Sequence, residues 1–143
     1  MRFMMIVKAS KESEAGVMPK PELLEAMGKY NEEMVKAGVM LAGEGLQASS
    51  KAARVKFSSG GKVTVTDGPF TETKELIAGF WLIDVKSKEE AIAWASRCPA
   101  PMGPGQESEI EIRKVFEAAD FGPEIEAQEK ALRDEIEKRT AKP

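Results

Sequence analysis

The apolar positions of the chain change period several times, and each change marks an element. From Arg2 to Ala9, Phe3, Met5, Val7 and Ala9 alternate with Met4, Ile6 and Lys8. Both sets are largely apolar, which predicts a central strand covered on both faces. After a polar loop, Pro21 stands where a first helical residue belongs. Leu23, Met27, Tyr30 and Met34 then recur at helical spacing, with Leu24 and Val35 widening the stripe. Gly38 is the expected stop. Val39 to Ala42 is a short apolar run before Gly43-Glu44-Gly45, and Ala53, Val55 and Phe57 alternate ahead of Ser58-Ser59-Gly60-Gly61. That pattern predicts strand, kink, strand and hairpin turn.

Val63 and Val65 carry the return arm toward Asp67, and Leu76 to Val85 is the longest apolar run, a further central strand. Ser87 and Glu90 have capping-box spacing, and Ala91, Trp94, Ala95 and Cys98 form one helical face with Ile92 beside it, closed by Pro99. The proline- and glycine-rich stretch from Ala100 to Gln106 is loop. Ile110 and Ile112 then alternate with Glu109, Glu111 and Arg113 as a last strand with one charged face. The order strand, helix, strand pair, strand, helix, strand matches an α+β fold, the ferredoxin-like split βαβ plan with an antiparallel sheet and helices on one face. Apolar residues on the sheet's other face require a cover, which predicts a two-fold homodimer with a barrel-like interior.

Residues 1–116 read as this domain and 117–143 as a C-terminal helical tail. Glu126 and Lys130, Glu129 and Arg133, Asp134 and Lys138, and Glu135 and Arg139 stand at i,i+4 in the favourable order, which predicts a helix from Pro123 to about Arg139. Its apolar stripe is only Ile125, Leu132 and Ile136. Such a helix either lies solvated on the surface or contacts a partner protein.

Composition narrows the chemistry. At 143 residues and 42% hydrophobic, the chain can bury one core. A net charge of -3 gives no basic field for nucleic acid. The first apolar run breaks at Lys8, too short for a signal segment or a membrane span, so no membrane role and a cytoplasmic location are expected. The single cysteine, Cys98, reads as a small buried side chain. There is no histidine, which removes Ser-His-Asp and Cys-His nucleophile systems and imidazole metal sites. Neither a cofactor nor a metal is expected. Gly43-x-Gly45-x-x-Ala48 imitates a dinucleotide fingerprint, but it leads to a strand and a hairpin instead of opening a helix.

The densest candidate chemistry runs from Asp67 to Glu75. Asp67-Gly68-Pro69-Phe70 is explained as a turn that plugs a phenylalanine into the core. Glu72, Lys74 and Glu75 are left over. As solvated charges they need no role; as a site, carboxylates beside a partly desolvated core would supply an acid and a base. In that reading Asp67 is the base, Glu72 or Glu75 the complementary acid, and Lys74 the group that pins an anion or enolate. Glu44, between two glycines, and Arg113, on the charged face of the last strand, would complete a ligand pocket. A metal at Asp67, Glu72 and Glu75 matches no dedicated calcium or magnesium loop.

Leu41-Ala42-Gly43-Glu44-Gly45-Leu46, Val65-Thr66-Asp67-Gly68-Pro69-Phe70, Glu72-Thr73-Lys74-Glu75 and Gly79-Phe80-Trp81-Leu82-Ile83 together resemble the YCII-related proteins, in particular the subgroup named for its DGPF motif. The similarity runs on through Trp94-Ala95, Arg97-Cys98-Pro99 and Glu111-Ile112-Arg113, so it covers Arg2 to Val115. It implies a dimeric α+β barrel of ferredoxin-like halves in small bacterial cytoplasmic proteins. It also implies, in some members, a histidine-aspartate pair, which a chain without histidine cannot form. The resulting expectation is a non-catalytic or regulatory dimer with a pocket for a small polar or anionic ligand. The alternative is a cofactor-independent, carboxylate-based isomerase or lyase acting on a small organic acid or lactone.

Overall fold

The structure, a computed structural model, describes residues 1–141. In chain order the elements are β1 (Arg2–Lys8), α1 (Lys11–Glu14), α2 (Pro21–Lys36), β2 (Met40–Gly45), β3 (Ala53–Phe57), β4 (Val63–Asp67), β5 (Ile77–Asp84), α3 (Lys88–Ser96), β6 (Ile110–Lys114) and α4 (Pro123–Thr140). Four strands form one sheet in the order β2-β5-β1-β6, with every neighbouring pair antiparallel. The two longest apolar runs in the sequence thus occupy the two central places. This is the α+β plan predicted by the order of elements, with one difference. β3 and β4 pair only with each other, as a separate ribbon inserted between the second and third strands of the sheet.

Residues alternate between two faces of the sheet. Phe3, Met5 and Val7 of β1 and Trp81 and Ile83 of β5 are buried, with Ile110 and Ile112 of β6 packed against them. Tyr30 and Met34 of α2 and Ala91 and Trp94 of α3 close this side. Tyr30 is the joint between the layers. Its ring meets Trp81 edge-on at 5.6 Å between centroids, and its hydroxyl donates to the Trp94 carbonyl at 2.6 Å. Burial pushes the Tyr30 hydroxyl well above the ordinary phenol range. The Trp81 indole N–H donates to Asn31 Oδ1 at 2.8 Å, so the core's polar edges are satisfied.

Several local features depart from the sequence pattern. Leu24 and Val35 are 54% and 61% exposed, so the buried stripe of α2 is narrower than expected. Each lies about 100° round the helix from Leu23 or Met34, past the line of contact with the sheet. The loop after β1 contains the one-turn helix α1, opened by reciprocal Ser10 and Ser13 hydrogen bonds. At α3, Ser87 Oγ accepts the Glu90 N–H at 3.1 Å, but the Glu90 carboxylate accepts from Lys86 N–H at 2.9 Å, so the capping box is half formed.

α4 has no buried residue, and its main contact is with the turn Ala118–Phe121. Of the four charge pairs expected along it, the two with arginine are formed, Glu129 with Arg133 at 3.7 Å and Glu135 with Arg139 at 2.9 Å. Residues 142 and 143 of the predicted tail lie outside the described residues. Among the described residues, no helix is long and apolar enough to cross a membrane.

Candidate functional site

The turn that follows β4 is bolted to the rest of the chain by backbone groups. Gly68 N–H donates to the Ala52 carbonyl at 2.9 Å, and a Cβ at Gly68 would lie 1.7 Å from the Ser49 carbonyl oxygen. Only glycine allows that approach. Phe70 N–H donates to Ser49 Oγ at 3.0 Å, while the Ser49 hydroxyl donates to the Glu14 carboxylate and Ser49 N–H reaches the same carboxylate at 3.0 Å. Ser49 is buried, at 6% exposure, and all its polar groups are engaged. The Phe70 ring lies under the Arg54 guanidinium, 3.7 Å from its centroid, a cation–π contact that ties the turn back to β3.

Sequence reasoning missed Glu14 and Ser49. The Ser10-x-x-Ser13 spacing was a usable signal for α1, and α1 is what holds Glu14 in place. Nothing in the local pattern marks Ser49, whose importance comes from partners far away along the chain.

The ionisable residues of the same stretch point elsewhere. Asp67 ends β4 opposite Ala53, and Glu72, Lys74 and Glu75 occupy the short turn before β5; all four are exposed. Among the described residues, no ion pair involves Lys74, and no three acidic or cysteine residues are placed to hold one metal ion.

Glu44 and Arg113 belong to a different surface, the sheet face turned away from the helices. The register gives it two rows: Glu44, Phe80, Ile6 and Glu111, then Ala42, Leu82, Met4 and Arg113. Its centre is therefore Met4, Ile6, Phe80 and Leu82, bounded by Glu44 on one edge strand and by Glu111 and Arg113 on the other. Glu44 and Arg113 stand three strands and one row apart, about 16 Å at the usual strand spacing and rise, so one protomer does not bring them together on a small ligand. Arg113 contacts Glu111 at 3.4 Å, and Lys8 approaches Glu111 at 3.6 Å.

Two shallow clefts lie along α3 and β6, lined chiefly from the helix-covered side. One, of about 510 Å3, is lined by Met1, Phe3, Ser87, Lys88, Arg113 and Lys114 among others. The second, of about 330 Å3, lies between α3 and β6 and includes Cys98 and Glu109. Burial pushes the Cys98 thiol up to about 12, which keeps it protonated and unreactive at neutral pH. At the root of α4, hydrogen bonds from Arg2 hold the Glu117 carboxyl below the usual carboxylate range, and the pair ties this segment to β1 at 3.2 Å.

Comparison with known proteins gives a family and little chemistry. An uncharacterised protein of Rhizobium meliloti (strain 1021) is 40% identical over 86 residues, which are 60% of this chain and 64% of that protein. The chain thus matches somewhat less than two thirds of that relative's length. Among solved structures, 5-chloro-2-hydroxyhydroquinone dehydrochlorinase from Burkholderia phenoliruptrix AC1100, in complex with 2,5-dihydroxybenzoquinone, is similar with a TM-score of 0.44 and 14% identity, over 82% of this chain and 95% of that one. A likeness that distant says nothing about activity. The family model of the YCII-related domain matches residues 1–119, and the chain belongs to that family.

Proposed function

We propose that this YCII-related protein, as a member of the DGPF subgroup, is a cytoplasmic homodimer that binds a small polar or anionic ligand and acts by binding, without catalysis. The observation that carries this reading is the open face of the sheet. Met4, Ile6, Phe80 and Leu82 form a contiguous, half-buried apolar centre on the side opposite the buried core, and contiguous apolar surface of this kind marks an interface. An isologous two-fold contact covers it with itself. Facing sheets pack about 10 Å apart, and the charged residues at their edges, Lys8, Glu44, Glu111 and Arg113, then rim the interior twice over. Lys74, at the entry to β5, is a further candidate contact for an anion.

Asp67, Glu72 and Glu75 are not catalytic in this reading. They are exposed, and none of them lies on the apolar sheet face that carries this reading. The test is sedimentation of the wild type and of Phe80→Glu at micromolar concentration, with melting temperature followed across a panel of small carboxylates and phosphates. A wild-type dimer, a monomeric Phe80→Glu protein and a ligand shift abolished by Arg113→Ala are expected. A monomeric wild type overturns the dimer. A substrate whose turnover is lost in Asp67→Asn overturns the binding role in favour of carboxylate chemistry.

A further inference from the structure

Two arms of the chain present apolar surface that their own protomer leaves bare. In the β3–β4 ribbon, Val55 stands opposite Val65 and Phe57 opposite Val63, so all four side chains share one side of the hairpin. All are exposed, Phe57 to 74%. A two-stranded ribbon is marginal alone, and one with an uncovered apolar side is more so. On α4 the exposed Ile125, Leu132 and Ile136 form one stripe at helical spacing.

We propose that each α4 lies with this stripe across the apolar side of the partner's β3–β4 hairpin, so that the arms clasp the dimer described above, on which this inference rests. Four arguments favour a second copy of this chain as the occupant. The first is length. Ile125 to Ile136 covers about 17 Å of helix, and a five-residue strand is about 17 Å long. The second is charge. The hairpin segment from Lys51 to Asp67 carries Lys51, Arg54, Lys56 and Lys62 against a single carboxylate, whereas α4 carries six carboxylates against four cations.

The third is position. The hairpin is rooted at the Lys8 end of the sheet, where Ala9 N–H bonds the Leu76 carbonyl and Leu46 N–H bonds that of Ala78. The tail leaves from the opposite end, where Val115 N–H bonds the Arg2 carbonyl. A two-fold axis lying between facing sheets and crossing the strands brings the Lys8 end of one copy over the Arg2 end of the other. That puts each hairpin at the same end as the partner's α4. The fourth is area. A four-stranded face is about 19 Å by 17 Å in plan, roughly 330 Å2, well under the ~800 Å2 per partner of a standard interface. The arms supply the remainder.

The test uses the full chain. Sedimentation over a dilution series compares wild type with Phe57→Glu and with the pair Leu132→Glu and Ile136→Glu, both on exposed positions. At least a tenfold rise in the dimer dissociation constant is expected for each. Combining them should add little more, because both remove the same contact. In parallel, Val65→Cys with Leu132→Cys, built on Cys98→Ala, should give a disulfide-linked dimer on mild oxidation. An unchanged dissociation constant, or a disulfide only within one chain, overturns the clasp and leaves the dimer standing. A wild type that is monomeric throughout overturns both.

Discussion

Gly68 carries the strictest steric demand in the turn that follows β4. With the Ser49 carbonyl where a Cβ would be, Gly68→Ala must push the turn away from Ser49 and break the bonds from Gly68 N–H to the Ala52 carbonyl and from Phe70 N–H to Ser49 Oγ. Overpacking of this kind costs about 1–3 kcal/mol, so thermal denaturation should show a melting point several degrees lower while the far-UV spectrum stays that of the wild type. The sequence made the turn legible, since Asp-Gly-Pro has few other uses. The reason for the glycine was not legible. It depends on Ser49 and, through it, on Glu14, residues 21 and 35 positions apart in the bonds they make. Local pattern carries no information about such partners.

Cys98 was legible for the opposite reason, because a small apolar-tolerant residue at a helix end beside Pro99 needs only its neighbours to be understood. Burial raises its thiol from 9.0 to about 12. The folded state therefore keeps a proton that the unfolded state releases. The stability this contributes is fully present below about pH 9 and is lost as pH rises toward 12. Between pH 8 and pH 10.5 the wild type should lose more melting temperature than Cys98→Ala, and at pH 8 its thiol should react with a disulfide reagent far more slowly in the folded than in the unfolded protein. Equal pH dependence in the two proteins would remove burial as the cause.

At the scale of elements, hydrophobic period predicted the presence of strands better than their company. β1 and β5 read as central because both alternating sets of their residues are apolar, and they are central. Ala53, Val55 and Phe57 with Val63 and Val65 read as a hairpin, and they form one. Alternation, however, reports that one side of a ribbon is destined for burial without saying against what. In this chain the apolar side of the hairpin is bare, and the four-stranded sheet closes without it. The tail shows a related limit. Its charge spacing predicted the helix, yet of the four pairs expected along it only the two with arginine close. Within one protomer the candidate residues are spread out at the same scale. Asp67, the turn holding Glu72, Lys74 and Glu75, and the two edges holding Glu44 and Arg113 lie on different elements. Neither of the two clefts along α3 and β6 is lined by residues 67–75.

For the whole molecule, what decides between a free-standing domain and half of a larger one is the balance of its two sheet faces. The helix-covered face contains the buried core, with Met5, Met34 and Ile83 fully enclosed. The other face offers Met4, Ile6, Phe80 and Leu82, half-buried, with Glu44, Glu111 and Arg113 at its edges. If that face is completed by a second copy, folding and association are linked, and the melting temperature must depend on protein concentration. Two chains of this size unfold with an enthalpy of about 200 kcal/mol at ~0.7 kcal/mol per residue, so each tenfold rise in concentration should raise the melting point by about 2–3 °C. Phe80→Glu places a carboxylate at the centre of the face and should melt lower, at a temperature independent of concentration. A concentration-independent wild type would mean that the apolar face is tolerated in water by the single chain, and the charged edges would then be ordinary surface with no interior to rim.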